Sequence, residues 1–84
     1  MTKDEKYLIV LYQEALLREP DEPEEAEIDP YLIGSKLHIA ERGVNALAHQ
    51  LVRGNFAKKR GDFLSITTTG IKVAKRLISD AQLP

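Results

Sequence analysis

The side chains with chemistry to offer in this 84-residue chain gather between positions 42 and 60. Arg42, Asn45, His49, Gln50 and Arg53, laid out at helical spacing, share one arc with Ala46, opposite Val44, Leu47, Ala48 and Leu51. That arc has two arginines and no acid; Glu41 lies at its margin and Gly43 at its edge. Arginine can bridge O6 and N7 of guanine, and asparagine or glutamine can bridge N6 and N7 of adenine, in the major groove of a duplex. Just beyond, Lys58, Lys59 and Arg60 put three cations side by side, suited to phosphates or to a minor groove.

Other chemistries find little support. His38 and His49 are the only histidines, and their separation is not a helical metal-ligand spacing. There is no cysteine, which excludes disulfide scaffolds, thiolate zinc sites and thiol catalysis together. Ser35, Ser65 and Ser79 stand beside no base in a nucleophile motif, and no glycine loop cradles a phosphate. The expectation is a protein that is not an enzyme and that needs neither metal nor cofactor.

The net charge of −1 conceals a division along the chain. Residues 1–30 have three basic residues against ten acids, a net −7, whereas residues 31–84 have nine against three, a net +6. Such polarity suggests an acidic segment joined to a basic, nucleic-acid-binding body. The composition, 43% hydrophobic and 30% charged, is that of a globular chain, and the length suits a single domain spanning 1–84. The longest apolar run, Tyr7 to Tyr12, is far short of the roughly 20 residues of a membrane helix. The N-terminal MTKDEK has no secretory pattern, so the expected location is cytoplasmic, at the nucleoid if DNA is bound, with no membrane partner.

The elements that must position these residues follow from caps and periodicity. Thr2-Lys3-Asp4-Glu5 is a capping-box pattern that opens a helix running to Arg18, where Pro20 stops it. Tyr7, Leu8, Ile9, Leu11, Tyr12, Ala15 and Leu16 make its apolar arc. Val10 and Leu17 fall outside that arc; a monomer would expose them, and they are candidates for a dimer interface. Residues 19–28 contain EPDEPEEAE, with almost nothing to bury, and read as an acidic, extended and mobile loop. Asp29-Pro30 then caps a short helix through Leu37, His38-Ile39-Ala40 interrupts, and a longer helix covers 41–53 with Gly54 as its terminator. Strands 55–60 and 63–67 flank a Gly61-Asp62 turn, with Leu64 and Ile66 facing the core and Ser65 the other way. Thr67 or Thr68 caps a last helix reaching Ala81.

The result is a mainly α fold with a small β-hairpin, in the order α-α-α-β-β-α. Residues 31–79 carry a likeness to known proteins. Ile33-Gly34-Ser35-Lys36-Leu37-His38-Ile39-Ala40-Glu41-Arg42-Gly43-Val44 resembles the helix-turn-helix of winged-helix transcription regulators. Gly54-Asn55-Phe56 is similar to the start of the wing and Lys59-Arg60-Gly61-Asp62 to its tip. Ile66-Thr67-Thr68-Thr69-Gly70 resembles the Leu-Thr-x-x-Gly entering the last helix of small bacterial regulators of the multiple-antibiotic-resistance and PadR-like types. The chain departs from that pattern in three places: His38 stands where the turn usually has glycine, Ala40 where a Ser or Thr caps the recognition helix, and Gly43 where a DNA-contacting side chain is common.

The resemblance implies a winged helix that binds double-stranded DNA and regulates transcription or assists it. Arg42, Asn45, His49 and Arg53 would face the major groove, and Lys58, Lys59 and Arg60 would form the wing's contact. The alternative is a winged-helix protein-interaction module without DNA binding, alone or as a homodimer, which Ala40, Gly43, the acidic loop and the Val10/Leu17 pair all fit.

Overall fold

The computed structural model describes residues 1–81; residues 82–84 of the expected single domain lie outside the described residues. Helix α1 (Lys3–Arg18) starts on a reciprocal cap. The Thr2 hydroxyl accepts from the Glu5 amide, and the Glu5 carboxylate accepts from the Thr2 amide at 2.8 Å. Two amides that a helix start leaves unpaired are thereby satisfied. These hydrogen bonds from Thr2, backbone first, hold the Glu5 carboxyl below its ordinary pKa.

Helix α2 (Pro30–Lys36) begins at Asp29, whose carboxylate accepts from the Tyr31 amide at 2.9 Å, with proline at the first helical position. It ends in a paired reversal: the Ile39 amide donates to Gly34 at 2.8 Å and the His38 amide to Ser35 at 3.3 Å. This is the Schellman arrangement, which places one residue in the left-handed region. That residue is His38, at φ 57°.

Helix α3 (Glu41–Arg53) has Ala40 as its N-cap, with no side-chain hydrogen bond to the first turn. Its C-terminus repeats the Schellman arrangement, with Asn55 donating to Val52 at 3.1 Å and Phe56 to Leu51 at 2.9 Å. Gly54 stands at φ −81° and is only the last partly helical residue; Asn55 takes the left-handed conformation at φ 64°. The termination expected at Gly54 is thus displaced by one residue. Asparagine fills that role because its short polar side chain tolerates positive φ.

Strands β1 (Ala57–Arg60) and β2 (Phe63–Ile66) pair antiparallel, with Arg60 opposite Phe63 and Ala57 opposite Ile66. The two-residue turn needs positive φ at its first position, and Gly61 supplies it at 60°. Helix α4 (Thr68–Ala81) follows, capped by Thr67, whose hydroxyl accepts from the Gly70 amide at 3.0 Å and donates to the Asn55 carbonyl at 2.6 Å. A Cβ at Gly70 would lie 2.1 Å from the Phe56 carbonyl oxygen, so only glycine allows α4 this close to the start of the hairpin. The order is α-α-α-β-β-α, the layout of a winged helix, on one core that includes Tyr7, Leu11, Ile28, Ile33, Val44, Leu64, Ile66 and Ala74.

Three sequence expectations are corrected by packing. Residues 19–28 do have something to bury: after a 3₁₀ turn at Pro23–Glu25, Ala26 and Ile28 are buried. Ile28 exchanges two backbone hydrogen bonds with Leu64, each 2.8 Å, along the free edge of β2. Ser65 is buried as well, and its hydroxyl donates to the Ala26 carbonyl of this segment at 2.8 Å. Finally, Val10 is half-buried against the core, leaving Leu17 exposed without it. The reason is that α2, α3 and α4 all pack on α1, so more of its circumference is covered than one apolar arc suggests. The same enclosure buries Glu14, which forms an ion pair with Lys36 of α2.

Candidate nucleic-acid interface

The buried side of α3 is set by Val44 and Leu51, with Leu47 and Ala48 half-buried beside them. Opposite, Arg42, Asn45, Ala46, His49, Gln50 and Arg53 are all exposed. Arg42 and Arg53 lie near the two ends of the helix, with Asn45 and His49 one turn apart between them. Gly43 is half-buried, and a Cβ there would come within 2.8 Å of the Ile39 side chain. The position therefore belongs to the packing of the turn against α3 rather than to the polar face.

Asn45 and His49 open onto a cleft of about 600 Å³ between α3, the start of α2 and the hairpin. Lys59, Asp62 and Phe63 line its hairpin side, and Asp29, Pro30 and Tyr31 line the α2 side. Within it the Tyr31 hydroxyl donates to Asn45 Oδ1 at 2.7 Å. Tyr31 and Phe63, 44% and 43% exposed, both border the cleft, Tyr31 with its hydroxyl on Asn45 and Phe63 from the turn end of β2, where it pairs with Arg60.

The three cations of the hairpin are not equivalent. Lys59 pairs with buried Leu64, on the face turned toward α3. Lys58 and Arg60 alternate to the opposite face, as the two-residue period of a strand requires. Lys58 is exposed there, while Arg60 is half-buried and stands 3.6 Å from the Glu25 carboxylate of the acidic segment. A basic tip with three free charges is therefore reduced to Lys58 and Lys59, with Arg60 partly neutralised. The two histidines stand apart: His38 forms the turn between α2 and α3, and His49 lines the cleft.

Sequence reasoning placed the α3 face but did not single out Tyr31 or Phe63. A signal for each was available. Tyr31 follows the proline at a helix start and lies off the Ile33/Leu37 face, so it should project outward. Phe63, next to core-facing Leu64, must by alternation lie on the other face of its strand. The Glu14–Lys36 pair had no such signal, since it depends on how α1 and α2 cross.

Among the described residues, no helix is long and apolar enough to cross a membrane. Comparison of the chain with protein-family models, curated proteins and solved structures gave no match.

Proposed function

We propose that this chain binds double-stranded DNA, as a transcription regulator or an accessory factor. Helix α3 would enter the major groove, with Arg42, Asn45, His49 and Arg53 facing the bases, and the β1–β2 hairpin would follow the backbone or the minor groove. The observation supporting this reading is that the acid-free exposed face of α3 and Lys59 of the hairpin border one cleft. A helix and a hairpin presenting donors to one side is the arrangement that reads bases and holds phosphates together.

The test is a fluorescence anisotropy titration with mixed-sequence duplex at several salt concentrations. If the four cations Arg42, Arg53, Lys58 and Lys59 together displace about four condensed counterions, log affinity falls against log salt with a slope of about −4. A flat response, or no binding at low salt, removes the proposal. The net charge of −1 gives little long-range attraction, so association should be slower than for strongly basic DNA-binding domains.

The second reading, a protein-interaction module, is favoured by one observation: two exposed aromatic residues, Tyr31 and Phe63, at the border of the cleft. Aromatic side chains are enriched where proteins meet. Substituting both by alanine separates the two. A DNA-binding domain keeps its salt-dependent affinity for mixed-sequence duplex, whereas a protein-docking cleft loses its partner. Leu17, exposed on α1, is the remaining apolar contact for a second copy of the chain.

A further inference from the structure

We infer that Tyr31 is a specificity-determining positioning residue, which sets the Asn45 amide for reading a base edge. This inference rests on the DNA-binding reading of the same face. Among the described residues of α3's exposed arc, Asn45 is the one whose side chain has a hydrogen-bond partner within the protein. Arg42, His49, Gln50 and Arg53 project into solvent without one, and each must be ordered on binding.

The geometry of the pair leaves the reading chemistry intact. An asparagine amide has two lone pairs on Oδ1 and two donors on Nδ2. Tyr31 occupies one lone pair at 2.7 Å, which fixes the plane of the amide and distinguishes its oxygen end from its nitrogen end. The second lone pair and both donors remain, and these are what a two-point contact with N6 and N7 of adenine requires. Holding the amide in place removes the ordering step from the binding event, which is worth roughly two- to tenfold in affinity for one side chain.

Tyr31 is suited to this because its own backbone is anchored on both sides. Its amide donates to the capping Asp29 carboxylate at 2.9 Å. The preceding carbonyl, of Pro30, accepts from the hydroxyl of Tyr7 at 2.9 Å, and Tyr7 is fully buried in α1. The Asn45 amide is thus held by a chain of contacts reaching into the core. A tyrosine at a helix start that is 44% exposed serves packing poorly, and its hydroxyl has its partner on the helix that would face the bases.

The experiment uses the full chain and begins by selecting duplexes from a pool with a randomised centre. Affinities for the selected duplex and a scrambled one are then measured for the wild type, Tyr31→Phe, Asn45→Ala and the double variant. The expected result is that Tyr31→Phe lowers the preference for the selected duplex roughly two- to tenfold, leaving affinity for the scrambled duplex and the thermal midpoint unchanged. Asn45→Ala should lower the preference further, and adding Tyr31→Phe to it should change nothing, since the tyrosine acts through the asparagine. The inference is overturned if Tyr31→Phe keeps the full preference, weakens both duplexes equally, or acts as strongly without Asn45. In those cases the wild type still binds DNA; a wild type that binds no duplex overturns the DNA reading itself.

Discussion

The Tyr7 hydroxyl, buried beneath α2 and donating to the Pro30 carbonyl, ties a core side chain to the start of the helix that bears Tyr31. Burial first, and then the nearby Asp29 carboxylate, push its pKa well above the ordinary value of 10. The native state therefore keeps a proton that the unfolded chain releases once the pH passes about 10. Below that pH the contribution to stability is fully present; above it, stability falls as pH rises. Denaturant melts of the wild type should lose stability between about pH 10 and 12, and Tyr7→Phe should flatten that dependence by about one proton. An unchanged slope in Tyr7→Phe would show that another group dominates. At neutral pH the same variant should be about 1 kcal/mol less stable, the net worth of one hydrogen bond.

At the scale of elements, caps and turns were legible in the chain. Thr2 and Glu5, Asp29 and Pro30, and Gly61 and Asp62 each begin or reverse an element for local reasons, and Lys3–Arg18, Glu41–Arg53 and Thr68–Ala81 match the helices expected from them. What was not legible lay in contacts between elements. Gly70 reads in the sequence as part of a family-like motif, but its physical reason is the Phe56 carbonyl 2.1 Å from where a Cβ would stand. Gly70→Ala should therefore cost roughly 1–3 kcal/mol as α4 and the hairpin are forced apart, despite alanine's better helix propensity. A chemical denaturation midpoint equal to or above that of the wild type would contradict this packing. Ser65 teaches the same lesson from the strand side. Alternation with Leu64 and Ile66 assigned it to solvent, yet it is buried, its hydroxyl donating to the Ala26 carbonyl of the segment that runs along the edge of β2.

For the whole molecule, the separation of charge along the chain becomes a contact in space. The acidic segment meets the hairpin through Glu25 and Arg60 at 3.6 Å, and the Arg18 guanidinium donates to the Glu27 carbonyl at 3.2 Å. Both partners of the ion pair are substantially exposed, so its effect on stability is small. Its effect on a polyanion should be larger, since Arg60 near Glu25 contributes less to phosphate binding than a free arginine. Glu25→Gln should tighten binding to mixed-sequence duplex and steepen the salt slope by about one. The melting temperature should move little. An affinity and slope identical to those of the wild type would mean that Arg60 lies outside the contact.

The sequence by itself determined where the helices and the hairpin lie, which face of α3 is polar, and that acidic and basic residues are segregated, because caps, periodicity and charge are properties of neighbouring residues. Only the tertiary structure decided that Asn45 is held by Tyr31, that Lys59 faces α3 while Arg60 turns toward Glu25, and that Val10 is half-buried and Glu14 buried. These depend on how close two elements come and at what angle. That distance is set by the packing of the whole core, to which no local stretch of sequence has access.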